Sequence, residues 1–164
     1  CRAAAEAVLQ TFVEVDGTQG TANTPQANEA SAQLTEGLWQ GWPTYGGPDA
    51  PYWWQLHYEP EDWHLENGKT LINTALPSCQ MNPTGGRGLP PNQTHENYNA
   101  TLDQFVFRVT TVYTDGIPQA AYYYIEINGQ LTGFQISFGD NVEECRGHAE
   151  QVLKSLAIVA RPNP

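Results

Sequence analysis

The sequence predicts an α+β domain, an antiparallel β-sheet of about five or six strands packed by a C-terminal helix. Three observations carry this. Phe105, Phe107, Val109, Thr111 and Tyr113 alternate with Val106, Arg108, Thr110 and Val112 in the period of two that a strand requires. Asn67-Gly68, Asp115-Gly116 and Asn128-Gly129 each stand between extended runs, the dipeptide chemistry of tight hairpins. Val142, Cys145, Ala149, Val152, Leu153 and Leu156 recur at helical spacing and form a stripe that needs a sheet to cover it.

Taken in order, residues 1–15 place Ala5, Val8, Leu9, Phe12 and Val15 near helical spacing, which fits a short helix or a loosely ordered leader. Residues 16–36 are rich in Thr, Gln, Asn, Ala and Gly and read as a flexible linker. The domain proper spans 37–160, where Trp39, Trp42, Tyr45, Tyr52, Trp53 and Trp54 crowd together, and 161–164 is a tail. A first strand is predicted over Tyr52–Tyr58, and Glu59-Pro60-Glu61-Asp62 turns it before Trp63 re-enters the core. His64–Glu66 and Thr70–Ala75 flank the Asn67-Gly68 turn. With four prolines and several glycines, Pro77–Glu96 reads as one long loop. The alternating run from Phe105, then Ala120–Ile127 and Gln130–Phe138, make a three-strand meander. Asp140 is placed to cap the helix, with Glu143 completing a capping box.

At 164 residues the chain is one domain long, and a domain of that size buries about 70% of its unfolded surface. Seven Lys and Arg against eighteen Asp and Glu leave a net charge of −11, which repels nucleic acid and anionic lipid. The chain as given begins at Cys1, the residue that carries the lipid of a bacterial lipoprotein, although a trimmed chain would begin in the same way. With Cys1 as an anchor, Cys79 and Cys145 are left to form a disulfide, the alternative being two buried thiols. These readings predict an extracytoplasmic protein, secreted or lipid-anchored, that meets a membrane only through Cys1. Asn92 and Asn99 each begin a glycosylation triplet.

Three segments together carry a resemblance: the turn Tyr58-Glu-Pro-Glu-Asp-Trp63, the segment Leu76-Pro-Ser-Cys79 leading into a Gly-rich loop, and the helix end Val152-Leu-Lys-Ser-Leu156. They resemble the PsbP/Mog1-like α+β family, which includes bacterial lipoproteins and photosystem II extrinsic proteins, with Glu59 standing between Tyr58 and Pro60 as a departure from its turn. The resemblance implies a sheet with helices on its faces and a non-enzymatic accessory or assembly role. It implies no particular partner, and no cofactor is expected.

His57 and Glu59 share a strand face, and His64 lies just past the turn with Glu61 and Asp62, so a metal could be held by His57, Glu59 and His64, with His148 a weaker candidate. A metal-dependent hydrolase would follow from that site. Glu59, Glu61, Asp62, Glu66 and Asp103 supply carboxylates for glycoside hydrolysis. No Gly-x-Ser-x-Gly elbow is present, and Gly85-Gly-Arg-Gly88 lacks the Lys and Ser/Thr of a phosphate loop, so no catalytic residue is assigned. Binding residues are Trp39, Trp42, Trp53, Trp54, His57, Glu59 and Arg87, the last an isolated cation for a partner's carboxylate. The function expected is that of a non-enzymatic extracytoplasmic accessory or binding module that engages a protein partner or a membrane-associated complex. A carbohydrate or cell-wall ligand stacked on exposed Trp and Tyr is the alternative, and one ring of Tyr122, Tyr123 and Tyr124 must reach the outer sheet face.

Overall fold

Alternating side chains build one large sheet whose two faces differ in character. The computed structural model describes residues 39–47, 54–85, 93–127 and 129–159. Along them run β1 (Thr44–Gly46), β2 (Trp54–His57), β3 (Trp63–Glu66), β4 (Thr70–Asn73), β5 (Gln80–Thr84), β6 (Thr94–Leu102), β7 (Phe105–Thr114), β8 (Ile117–Ile127), β9 (Gln130–Ser137), helix α1 (Val142–Lys154) and β10 (Ala157–Ile158). Seven strands form a sheet in the order β3-β4-β5-β9-β8-β7-β6, and β1-β2-β10 form a small second sheet; every pairing is antiparallel. The α+β class therefore holds, with more strand than the sequence predicts.

The hairpins form where local turn chemistry places them. Asn67 and Gly68 have φ of 51° and 67°, and Asp115 and Gly116 have 51° and 78°, the left-handed pairs that match strand twist. Strand β5 lies within the stretch Pro77–Glu96 that the sequence predicts as a loop, and β6 begins at its end. In β5 only Met81 is fully buried, so apolar alternation is too thin to see. Its Pro83 also argues against a strand inside a sheet. Pairing with β4 ends at Met81, however, so Pro83 has a hydrogen-bonded neighbour on the β9 side alone and sits at a local edge. Strand β6 is the outer edge of the sheet and is mostly polar. At the helix start the N-cap is Asn141, with no side-chain cap bond, one residue past the Asp140 that the capping pattern selects.

One face of the large sheet is the core. Register places Leu71, Met81, Ile136, Ala121 and Thr111 in one row across it, with Phe134, Tyr123 and Val109 in the next, all buried. Helix α1 covers the β6–β8 side: the Tyr123 hydroxyl donates to Glu150 Oε1 at 2.6 Å, and Arg146 donates to the Tyr98 hydroxyl. The small sheet covers the rest. The Trp54 ring meets Phe134 edge-on at 4.8 Å and Tyr45 at 5.4 Å, while the Tyr45 hydroxyl donates to the Lys69 carbonyl. Cys79 and Cys145 form a disulfide with Cα atoms 5.5 Å apart, tying the start of β5 to α1. Such a bond persists in an oxidising, non-cytoplasmic compartment. No helix among the described residues is long and apolar enough to cross a membrane.

Ser155, just past α1, explains one residue of the helix-end segment. Its buried hydroxyl accepts from the His57 N–H at 2.7 Å and lies within donating distance of the His57 and Val152 carbonyls. It thereby splices the helix end to β2.

Tyr123 makes stability pH-dependent. Burial first, and its bond to Glu150 second, push the hydroxyl far above its usual range, so it stays protonated in the fold. An unfolded tyrosine ionises near pH 10. Stability is therefore complete below about pH 10 and falls as the pH rises beyond it, because the unfolded chain then binds fewer protons. Tyr123→Phe is expected to flatten that decline in urea titrations between about pH 9 and 11. Some slope should persist, since burial raises Tyr58 and Tyr124 as well. Parallel declines in both proteins would contradict the assignment.

Candidate functional site

The segment before β1, the turn between β2 and β3, and one flank of α1 meet at a groove of about 180 Å³. Each is positioned by simple local rules. Trp39 and Trp42 sit in a turn closed by the Trp42 N–H to the Trp39 carbonyl at 3.1 Å, with their rings edge-to-face at 4.9 Å. Pro60 drives the second turn, in which the Glu59 carbonyl accepts from the Asp62 and Trp63 amides at 3.2 and 2.9 Å. This leaves the Glu59 and Asp62 side chains lining the groove beside Trp63. On the helix, His148, Gln151 and Val152 lie three and four residues apart and so share one face. His148 Nδ1 is 3.5 Å from Asp62 Oδ2, which bridges helix and turn.

Chemically the groove joins three indole rings to two carboxylates and an imidazole, with no Lys or Arg among the described residues that line it. The faces of the rings are electron-rich and the carboxylates are anionic, so both attract a cation. The Nε1 of Trp39 is buried and meets no hydrogen-bond partner among the described residues. A space of this size suits one side chain rather than a cofactor, since small-molecule sites run from about 300 to 1,000 Å³.

The structure brings Trp39, Trp42 and Glu59 together and separates the other predicted site residues. Trp54 is 3% exposed and belongs to the core, which removes it as a binding residue. His57 ends β2 beside Gln55 Nε2, 3.3 Å away, and its buried Nδ1 has no partner among the described residues. Because β2 stops at His57, the alternation that would put Glu59 on its face stops too, and His64 is exposed on β3 in the other sheet. The predicted set His57, Glu59 and His64 does not assemble; among the described residues no group of three or more His, Cys, Asp or Glu could hold a metal ion. Cys1, Trp53, Arg87 and Asn92 lie outside the described residues. The paired Cys79 and Cys145 are as the cysteine count predicts.

Sequence reasoning undervalued Asp62 and His148 and assigned Trp63 to the core alone. Trp63 is only 2% exposed, yet it lines the groove. The helical spacing of His148, Gln151 and Val152 was available as a signal, but nothing local links that face to the Pro60 turn. No known protein family matches the chain, and neither a curated protein nor a solved structure matches it significantly.

Proposed function

We propose that this protein is a non-enzymatic, extracytoplasmic binding module that engages a protein partner by receiving a lysine or arginine side chain of that partner in the Trp39–Trp42–Trp63 groove. The observation that carries the reading is the joining of three indoles to the Glu59 and Asp62 carboxylates in a space of side-chain size. A patch of aromatic rings rimmed by charge is the anatomy of a protein contact, with a desolvated centre and a polar border. The chain's net charge of −11 would draw a basic partner from a distance. The PsbP/Mog1-like fold belongs to the same proposal. It rests on the Tyr58–Trp63 turn, the Leu76–Cys79 segment and a C-terminal helix laid over an antiparallel sheet.

The test uses capped tripeptides, Gly-Lys-Gly, Gly-Arg-Gly and Gly-Gln-Gly, followed by NMR at the tryptophan indole N–H groups. The basic peptides should shift the Trp39 and Trp42 signals and the glutamine peptide should not. Asp62→Asn with Glu59→Gln should weaken binding about tenfold or more, the scale of one charge-assisted hydrogen bond. Glu66→Gln, a carboxylate lost from the exposed end of β3, should leave it unchanged. Equal shifts with the glutamine peptide, or equal weakening by Glu66→Gln, would reduce the effect to general charge attraction and defeat the proposal.

A further inference from the structure

The groove contains a group whose charge changes with pH. Imidazole is the side chain that gains or loses its proton between about pH 5 and 8, whereas carboxylates and lysine amines of ordinary affinity keep their charge across that range. Of the chain's four histidines, His148 lines the groove. Its Nδ1 stands 3.5 Å from Asp62 Oδ2, one of the two carboxylates on which a cationic guest depends. The side chains of His148 and Asp62 are 33% and 44% exposed, so solvent protons and a guest both reach the pair.

Both partners are carried on fixed backbone. Asp62 sits in the Pro60 turn, where its N–H donates to the Glu59 carbonyl at 3.2 Å and its carbonyl accepts from the Thr74 N–H at 2.8 Å. His148 lies on α1 three residues after Cys145, which the disulfide ties to Cys79, and it precedes the fully buried Ala149. The charged surroundings of the imidazole are of one sign. Glu144 is four residues before it on the same side of α1. The turn supplies Glu59, Glu61 and Asp62, and the segment before β1 supplies the uncharged rings of Trp39 and Trp42. On β2, His57 is paired with Gln55. The remaining charges of the helix are engaged or aimed elsewhere: Arg146 donates to Tyr98, Glu150 accepts from Tyr123, and Lys154 is six residues further on, around another side of α1.

We infer that His148 is an acid-release switch for the groove. With a neutral imidazole, the Asp62 carboxylate is available to the partner's basic side chain. Once protonated from solvent, His148 becomes a cation inside the groove, pairs with Asp62 and competes with the guest for it. The two negative charges of Glu59 and Asp62 then fall to a net of one, and a positive charge stands beside whatever enters. Binding is therefore strong at neutral pH and weakens as the pH falls. By linkage a bound guest opposes protonation of His148 to the same degree, so the two cations exclude one another. This inference rests on the groove being a receptor for lysine or arginine.

The test is the ratio of affinities for capped Gly-Lys-Gly at about pH 7.5 and about pH 5.5, values either side of the imidazole transition, followed at the Trp39 and Trp42 indole N–H signals. Binding should be about threefold or more weaker at the lower pH, the scale of one partly exposed charge pair. His148→Gln, which takes up no proton, should bring the ratio close to one. His148→Lys, a permanent cation at the same position, should bind weakly at both values. His95→Gln, at an exposed position on β6, should keep the ratio of the unaltered protein. A ratio near one in the unaltered protein, or an undiminished ratio in His148→Gln, would overturn the switch while leaving the groove as a receptor. No binding at either value would overturn the receptor and the switch together.

Discussion

Replacing Cys79 and Cys145 together by alanine is expected to lower the free energy of unfolding by about 4 kcal/mol, the chain-entropy value for a loop of this length. The two residues are 66 positions apart, and both are fully buried in the same core cluster. Releasing them frees the unfolded chain to explore more conformations while leaving the folded contacts largely in place. Urea unfolding of the oxidised protein, the reduced protein and the double variant measures this directly. The reduced protein and the variant should agree with each other and fall well below the oxidised protein. A loss under about 1 kcal/mol would show that other long-range contacts already restrict the unfolded chain to the same degree.

Trp54→Ala should cost about 3–5 kcal/mol, in the range for a large aromatic removed from a packed core. Trp54 is the side chain by which the small sheet grips the large one. Its ring lies between Phe134 and Tyr45, and a Cβ at Gly46 would come within 2.6 Å of it, so the β1 backbone is pressed against the indole. The cavity left by alanine cannot be filled from β1 without breaking its pairing with β2. Trp54→Phe, which retains a ring at the junction, should lose clearly less. Urea midpoints of the two variants give the comparison, and equal losses would mean that the indole's extra volume does not bear on the contact.

Legibility in the sequence followed the range of the interaction. The β7–β8 and β3–β4 hairpins were readable because Asp115-Gly116 and Asn67-Gly68 determine their own turns from four consecutive residues. The helix was readable because Cys145, Ala149, Val152 and Leu153 repeat on one face, although the cap moved by one residue to Asn141. Strand β5 was not readable, since Met81 is its one fully buried residue and Pro83 is tolerated only where β4 has already ended. Strands β1 and β10 are too short to show any period. At the candidate site, Trp39, Trp42 and Glu59 could be named from composition. Their partner His148 could not, because the turn and the helix meet only through the tertiary packing of α1 against β2. The outer face was half visible: three consecutive tyrosines require an outward ring, but Gly133, whose missing side chain leaves room for the Tyr124 ring, meets it only through the β8–β9 register.

The order of strands in the large sheet follows the chain in two blocks. It is two meanders, β3-β4-β5 and β9-β8-β7-β6, each paired between sequence neighbours and joined to the other along a single border, β5 against β9. The small sheet crosses the same border through β2 and β10, and Cys79–Cys145 crosses it covalently. A chain severed anywhere between Thr84 and Thr94 would thus separate into two pieces that each keep a complete meander. Those pieces would still share two sheets and one disulfide, so the molecule is organised as a pair of complementing fragments that happen to be connected end to end.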